Sequence, residues 1–129
     1  MIKLSKERVM LLHNLLTRET GGSAGLRDTD LLESALESAY QTFAGQELYP
    51  TIEEKGAWIG YALISNHAFV DGNKRIGMLT MTVFLELNGV RINPTNESFF
   101  ETGIGVASGK MKYEELLQWI KDNKCWKCD

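Results

Sequence analysis

A compact all-α bundle of about six helices, with room for one very short strand or hairpin, is the fold this sequence predicts. Three observations carry that expectation. Apolar residues recur at helical spacing in successive segments. Capping residues stand at several segment starts, and Gly-containing stops at several ends. Two neighbouring segments in the middle of the chain are apolar on most sides, as expected of helices at the centre of a bundle.

The elements follow in order. Ser5 is a good N-cap for a first helix with Val9, Leu12, Leu15 and Leu16 on one face. GGSAG at 21–25 breaks it. Asp28 or Asp30 caps a second helix that turns Leu31, Leu32, Ala35, Leu36 and Ala39 inward. Residues 45–50 form a loop. Thr51 and Glu54 then make a capping box, each side chain satisfying an amide of the first turn. The third helix carries Trp58, Ile59, Ala62, Leu63 and Ile64. A fourth runs from about Lys74 to Asn88, and its apolar residues Ile76, Leu79, Met81, Val83, Phe84, Leu85 and Leu87 are too many for one stripe. Asn88-Gly89 stops it. VRIN at 90–93 reads as a short strand ended by Pro94. Two more helices fit 95–108 and 112–123.

The chain has 129 residues, the size of one domain, and no linker or repeat divides it. A single domain over 1–129 is expected, with 123–129 as a short tail. Net charge is −3, which argues against a nucleic-acid binder with its usual basic excess. No window approaches the ~18 apolar residues of a membrane span. The first residues lack the apolar core of a signal peptide, so the expected compartment is the cytoplasm. Cys125 and Cys128 end the chain as CWKC. Half the ligands of a zinc site are missing, so two reduced thiols are expected there.

Chemistry concentrates in NHAFVDGNKRI at 66–76, between the two most apolar helices. A helix start offers amide N–H groups and a positive dipole end, a ready anion site. Gly72 lets the backbone approach a phosphate closely. Asn73 can aim an amide at the same oxygen. Lys74 and Arg75 lie in the first turn, where cations oppose the dipole unless an anion compensates. Arg75 supplies a bidentate fork and Lys74 a point charge. Asp71 makes sense as a magnesium ligand beside phosphate oxygens. His67 is suited to act as general base on an attacking hydroxyl. Together these residues describe transfer of a phosphorus group from a nucleotide to a hydroxyl. Phe69 is expected to anchor the loop in the core.

HAFVDGNKR resembles the Fic motif, HxFx(D/E)GN(G/K)R. It is most similar to the Doc branch, the death-on-curing toxins of toxin–antitoxin pairs. GLRDTDLLESAL, YPTIEEKGA, FLELNG and EELLQWI extend the likeness over roughly residues 4–122. The resemblance implies the Fic fold, His67 as base, Asp71 holding Mg2+, Gly72 and Asn73 nesting a phosphate, and Lys74 and Arg75 in the catalytic and nucleotide-binding set. It implies ATP or another nucleoside triphosphate as donor and a protein Ser or Thr hydroxyl as acceptor, with elongation factor Tu the first candidate.

AMP-transferring Fic proteins usually have glycine where this chain has Lys74, and a second arginine where it has Met78. Both differences point to phosphate transfer in the Doc manner. Gly72 points the other way, since the founding Doc carries alanine there. The runner-up is therefore AMP transfer, and a third reading is an inactive nucleotide- or antitoxin-binding module. Many Fic enzymes carry an inhibitory helix of form (S/T)xxxE(G/N). Here TDLLES and TVFLEL both lack the final Gly or Asn. Restraint in trans is expected, by an antitoxin segment that folds as a helix on the toxin.

Overall fold

The computed structural model describes residues 1–20, 25–70 and 72–125. Six helices and one small hairpin follow in the order α1 (Lys6–Thr20), α2 (Thr29–Ser38), β1 (Thr42–Phe43), β2 (Gln46–Glu47), α3 (Ile52–Asn66), α4 (Asn73–Leu87), α5 (Asn96–Ala107) and α6 (Tyr113–Asp122). The all-α expectation holds. Among the described residues no helix is long and apolar enough to cross a membrane.

Local sequence sets most of the helix starts. The Ser5 hydroxyl accepts from the Arg8 amide at 3.2 Å. Asp28, not Asp30, caps α2, its carboxylate accepting from the amides of Asp30 at 2.9 Å and Leu31 at 3.1 Å. Thr51 and Glu54 form the reciprocal box at the start of α3. Gly89, at φ 87°, follows the end of α4 in the left-handed conformation that terminates helices.

The pair α3–α4 is the centre of the molecule and its most extensive helix contact. Each helix buries two faces. Ile59, Ala62 and Leu63 of α3, with Ile76 and Phe84 of α4, join a core completed by Val9 of α1 and by Leu32, Ala35 and Leu36 of α2. Ala57 and Ile64 of α3, with Met78, Met81 and Leu85 of α4, join a second core closed by Val106, Leu116 and Ile120 of α5 and α6. This sandwiching is the physical reason both segments read as apolar on most sides. Glycines bring the two helices close. A Cβ at Gly77 would lie 2.5 Å from Ile64 Cγ1 and 3.2 Å from the Gly60 carbonyl oxygen.

Three expectations need correction. On α1, Leu15 is exposed, and the buried face is Val9, His13 and Thr17, with Leu12 and Leu16 packed beside it. Residues 9, 13 and 17 share one helical stripe, and residue 15 lies off it. The strand expected at 90–93 reduces to a single bridge between Ile92 and Lys124. The hairpin instead lies at 42–47, turning through Ala44 at φ 54° and Gly45 at φ 79°. Paired positive φ values are the geometry of a tight hairpin turn whose twist matches its strands. Finally, Cys125 is disulfide-bonded, not reduced. The expectation of reduced thiols rests on compartment and not on geometry; Cys128 lies outside the described residues.

Two lysines tie peripheral chain to α3. Lys55 is fully buried, and its ammonium donates to Glu47 at 2.9 Å and to the Tyr49 carbonyl, fastening the hairpin and the segment after it. Lys124 donates to the Glu53 carboxylate at 2.7 Å and holds the chain beyond α6 against the start of α3. That hydrogen bond keeps the Glu53 carboxyl below its ordinary range, against the upward push of partial burial. A depressed folded-state value means the contribution is present above the unfolded carboxyl's range and is lost as pH falls through the folded one. Glu53→Gln is therefore expected to lower stability at neutral pH and to flatten its fall on acidification. Chemical denaturation across a pH series reads this, and parallel profiles for the two proteins would refute the assignment.

Candidate active site

The end of α3 and the start of α4 meet across a five-residue loop, residues 68–72. His67 is the C-cap of α3 in the left-handed conformation, φ 52° and ψ 48°, and its side chain is exposed. Few non-glycine residues take this conformation, which costs an L-residue about 1–2 kcal/mol. A histidine held there stands at the helix end, where the loop begins.

Burial below and hydrogen bonds within fix the loop. Ala68 and Phe69 are buried. Phe69 anchors the loop as expected, and its ring stacks on His13 of α1 with centroids 3.9 Å apart and planes 17° from parallel. The Asn73 side chain works in two directions. Its Oδ1 accepts from the Phe69 amide at 3.1 Å, and its Nδ2 donates to the Phe69 carbonyl at 3.0 Å. Asn73 thus closes the loop onto the first turn of α4, beyond any contact it makes with an anion.

The start of α4 is built to receive negative charge. Gly72 is its N-cap at φ 78°, and a glycine brings no capping side chain of its own. The first intrahelical bond runs from the Ile76 amide to the Gly72 carbonyl at 2.9 Å, so the amides of Asn73 and Lys74 have no partner within the helix. The first turn holds no acidic residue, and Lys74 and Arg75 are both exposed. Dipole, amides and two cations add up to a local positive field on a chain of net charge −3.

A cavity of about 540 Å³ opens here, lined by Arg27, His67, Phe69, Val70, Gly72, Asn73, Lys74, Arg75 and Ala107. Five residues expected from the sequence, His67, Gly72, Asn73, Lys74 and Arg75, therefore face one space. Asp71 lies outside the described residues. Among the described residues no cluster of three or more His, Cys, Asp or Glu could cage a metal. A divalent ion here would depend on Asp71 and on phosphate oxygens of a bound substrate, a usual mode for magnesium.

Sequence reading missed Arg27, Val70 and Ala107 as lining residues, and His13 beneath the loop. Arg27 and Ala107 come from elements far away in the chain, so no spacing rule reaches them. His13 was legible, since it lies four residues after Val9 on the buried stripe of α1. A second cavity of about 150 Å³, lined by Lys74, Arg75, Met78, Phe99, Phe100, Gly103 and Ile104, adjoins the first through its two shared cations. Met78 is 2% exposed and packs toward α5, so this turn of α4 presents an apolar side chain there and no third cation.

Comparisons with known proteins place the chain in a family. A family model described as the Fic/DOC family matches residues 3–85, more than half of the chain. The chain is 39% identical over 72 residues to a protein named Toxin Doc from Mycolicibacterium smegmatis, an alignment covering 56% of this chain and 55% of that one. It spans only about half the length of that relative. It is also 24% identical over 118 residues to Protein kinase doc of Escherichia phage P1, covering 92% of each.

Proposed function

The chain belongs to the Fic/DOC family, and on that premise we propose that it is a Doc-like toxin that transfers phosphate from a nucleoside triphosphate to a Ser or Thr hydroxyl of a protein. One observation carries the reading. An exposed histidine at the end of α3 and the positive start of α4 line the same cavity. In the proposed reaction His67 takes the proton of the target hydroxyl. The hydroxyl oxygen bonds to the γ-phosphorus, the bond from that phosphorus to its bridging oxygen breaks, and a nucleoside diphosphate leaves. The amides of α4, with Lys74 and Arg75, hold the phosphate oxygens as charge shifts onto the leaving group. Asp71 is the proposed magnesium ligand, and the ion when bound adds neutralising charge on the phosphates.

Transfer of phosphate over AMP is favoured by Lys74 and Met78. The exposed lysine occupies space beside the cavity that a glycine would leave to a phosphate. Met78 offers no clamp for a terminal phosphate at the far end. Both argue for the γ-phosphate lying at His67. A bacterial lysate incubated with this protein and ATP labelled on either the γ or the α phosphate tests this. Protein-bound label from the γ position only is expected. Label from the α position would make the enzyme an AMP transferase, and no transfer from either would reduce the fold to a binding module.

We further propose an antitoxin segment, folding as a helix on the toxin, as the physiological partner, and elongation factor Tu as the first target to test. Among the described residues, the two glutamates that could restrain the site from within the chain are engaged elsewhere. Glu33 of TDLLES is exposed and pairs with Lys6 at 3.6 Å, and Glu86 of TVFLEL pairs with Arg91 at 3.6 Å. Neither glutamate lines the cavity. The reading places the reaction in the cytoplasm, where nucleotide and target are found.

A further inference from the structure

Resting on the nucleotide-transfer reading above, we infer that Arg27 is a phosphate-binding residue of this site, contacting the phosphoryl group that is transferred. It belongs neither to the motif at 67–75 nor to α4. It comes from the short segment between α1 and α2, forty residues before His67.

Three observations support the assignment. The first is placement: Arg27 lines the same cavity as His67, Lys74 and Arg75, on a wall contributed by a different element. The second is rigidity. Segment 25–28 is laced antiparallel to the catalytic loop. The amides of Arg27 and Asp28 both donate to the Ala68 carbonyl, at 2.7 and 3.0 Å, and the Val70 amide donates to the Gly25 carbonyl at 3.0 Å. Leu26 and Phe69 form the bridge between them. The backbone under Arg27 therefore moves only with the loop that carries the site. The third is charge. The guanidinium is exposed and makes one long hydrogen bond, 3.5 Å, to the Asn66 carbonyl. No carboxylate among the described residues pairs with it. Its neighbour Asp28 is engaged in capping α2. Most of the five donors of the fork are thus available to an anion.

The hydrogen bond to Asn66 also says which part of the nucleotide is reached. Asn66 directly precedes His67, and a general base must lie beside the attacked phosphorus. An arginine held at that end of the cavity contacts the transferred phosphoryl, while Lys74, Arg75 and the α4 amides hold the rest of the phosphate chain. The site then grips its substrate from two elements, and Arg27 adds a cation from outside the motif.

Calorimetric titration of the full chain and of Arg27→Ala with ATP and with ADP, both with magnesium, tests this. Arg27→Lys serves as the conservative variant and a thermal melt as the fold control. A charge-assisted contact of this kind changes affinity by roughly ten-fold or more. With the γ-phosphate at His67, Arg27→Ala is expected to weaken ATP about ten-fold and to leave ADP nearly unchanged, with partial recovery in Arg27→Lys. Equal weakening of ATP and ADP would keep the contact but put the α-phosphate at His67, overturning phosphate transfer. Wild-type binding of ATP that Arg27→Ala leaves intact would overturn the assignment of Arg27 alone. Failure of the wild type to bind either nucleotide would sink both proposals.

Discussion

Replacing His67 with glycine is expected to abolish transfer without cost to stability. The two halves come from different physics. A positioned general base contributes about 10²- to 10⁴-fold, and glycine has no group to take the proton. The fold loses little, because the imidazole is exposed. The backbone gains, because φ 52° and ψ 48° strain an L-residue by about 1–2 kcal/mol and suit glycine. The larger entropy of glycine in the unfolded chain offsets roughly 0.5–1 kcal/mol of that gain. Stability should therefore stay level or rise by up to about 1.5 kcal/mol. A histidine retained for packing would behave the opposite way, losing stability and sparing turnover. Denaturant midpoints and label transfer on the same preparation separate the two.

The second large effect is Gly77→Ala. On an open helix surface this change stabilises by about 1 kcal/mol, since alanine is the better helix former. Here the sign should reverse. The new methyl would sit 2.5 Å from Ile64 Cγ1, which a rotamer change relieves only in part within a packed core. It would also sit 3.2 Å from the Gly60 carbonyl oxygen, a backbone atom that moves only with α3. Overpacking of this kind costs about 1–3 kcal/mol. The consequence reaches the site, because the α3–α4 crossing sets how the end of one helix faces the start of the other. A displacement of about 1 Å there can cost about 10²-fold in rate. Gly105→Ala is the control. Its methyl would meet only Met111 Cβ at 3.4 Å, and it is expected to be neutral or stabilising. Gly77→Ala as stable as the wild type would mean the helices do not approach as closely as described.

These two positions illustrate what was readable in the chain and what was not. Local chemistry was readable. Thr51 and Glu54 announce the start of α3 by type and spacing, and an Asx cap before LLESAL announces α2. Apolar residues on several sides of the third and fourth helices announced their central place, and the two cores on either side explain it. The site motif was compact in sequence, so His67, Gly72, Asn73, Lys74 and Arg75 could be grouped before any fold was known.

Long-range pairing was hidden. Arg27 reaches the cavity only because segment 25–28 pairs with 68–70, and nothing in either stretch names the other. Ile92 meets Lys124 by the same kind of distant pairing, so VRIN looked like a strand yet makes a single bridge. The short hairpin expected somewhere in the chain has its place at 42–47 hidden, because its strands are two residues each and exposed. Its turn is Ala-Gly, where Asn-Gly or Asp-Gly is the usual signal. The sequence marks Asn73 as an anion ligand, and its double hydrogen bond to Phe69 adds a loop-closing role that composition cannot reveal. Lys55 gives no signal for a plainer reason: a lysine in a helix is ordinarily solvated, and this one is buried beside a hairpin whose position no local signal marks.

In the proposed reaction the cavity at the end of α3 and the start of α4 moves a phosphate from nucleotide to protein, with His67 as base. Intact-mass spectrometry of bacterial elongation factor Tu, incubated with magnesium, ATP and either this protein or its His67→Gly variant, tests it most directly. A phosphate-sized gain with the wild type and none with the variant is the expected result. A gain of equal size from the variant would remove His67 from the chemistry, and an AMP-sized gain from the wild type would contradict phosphate transfer itself.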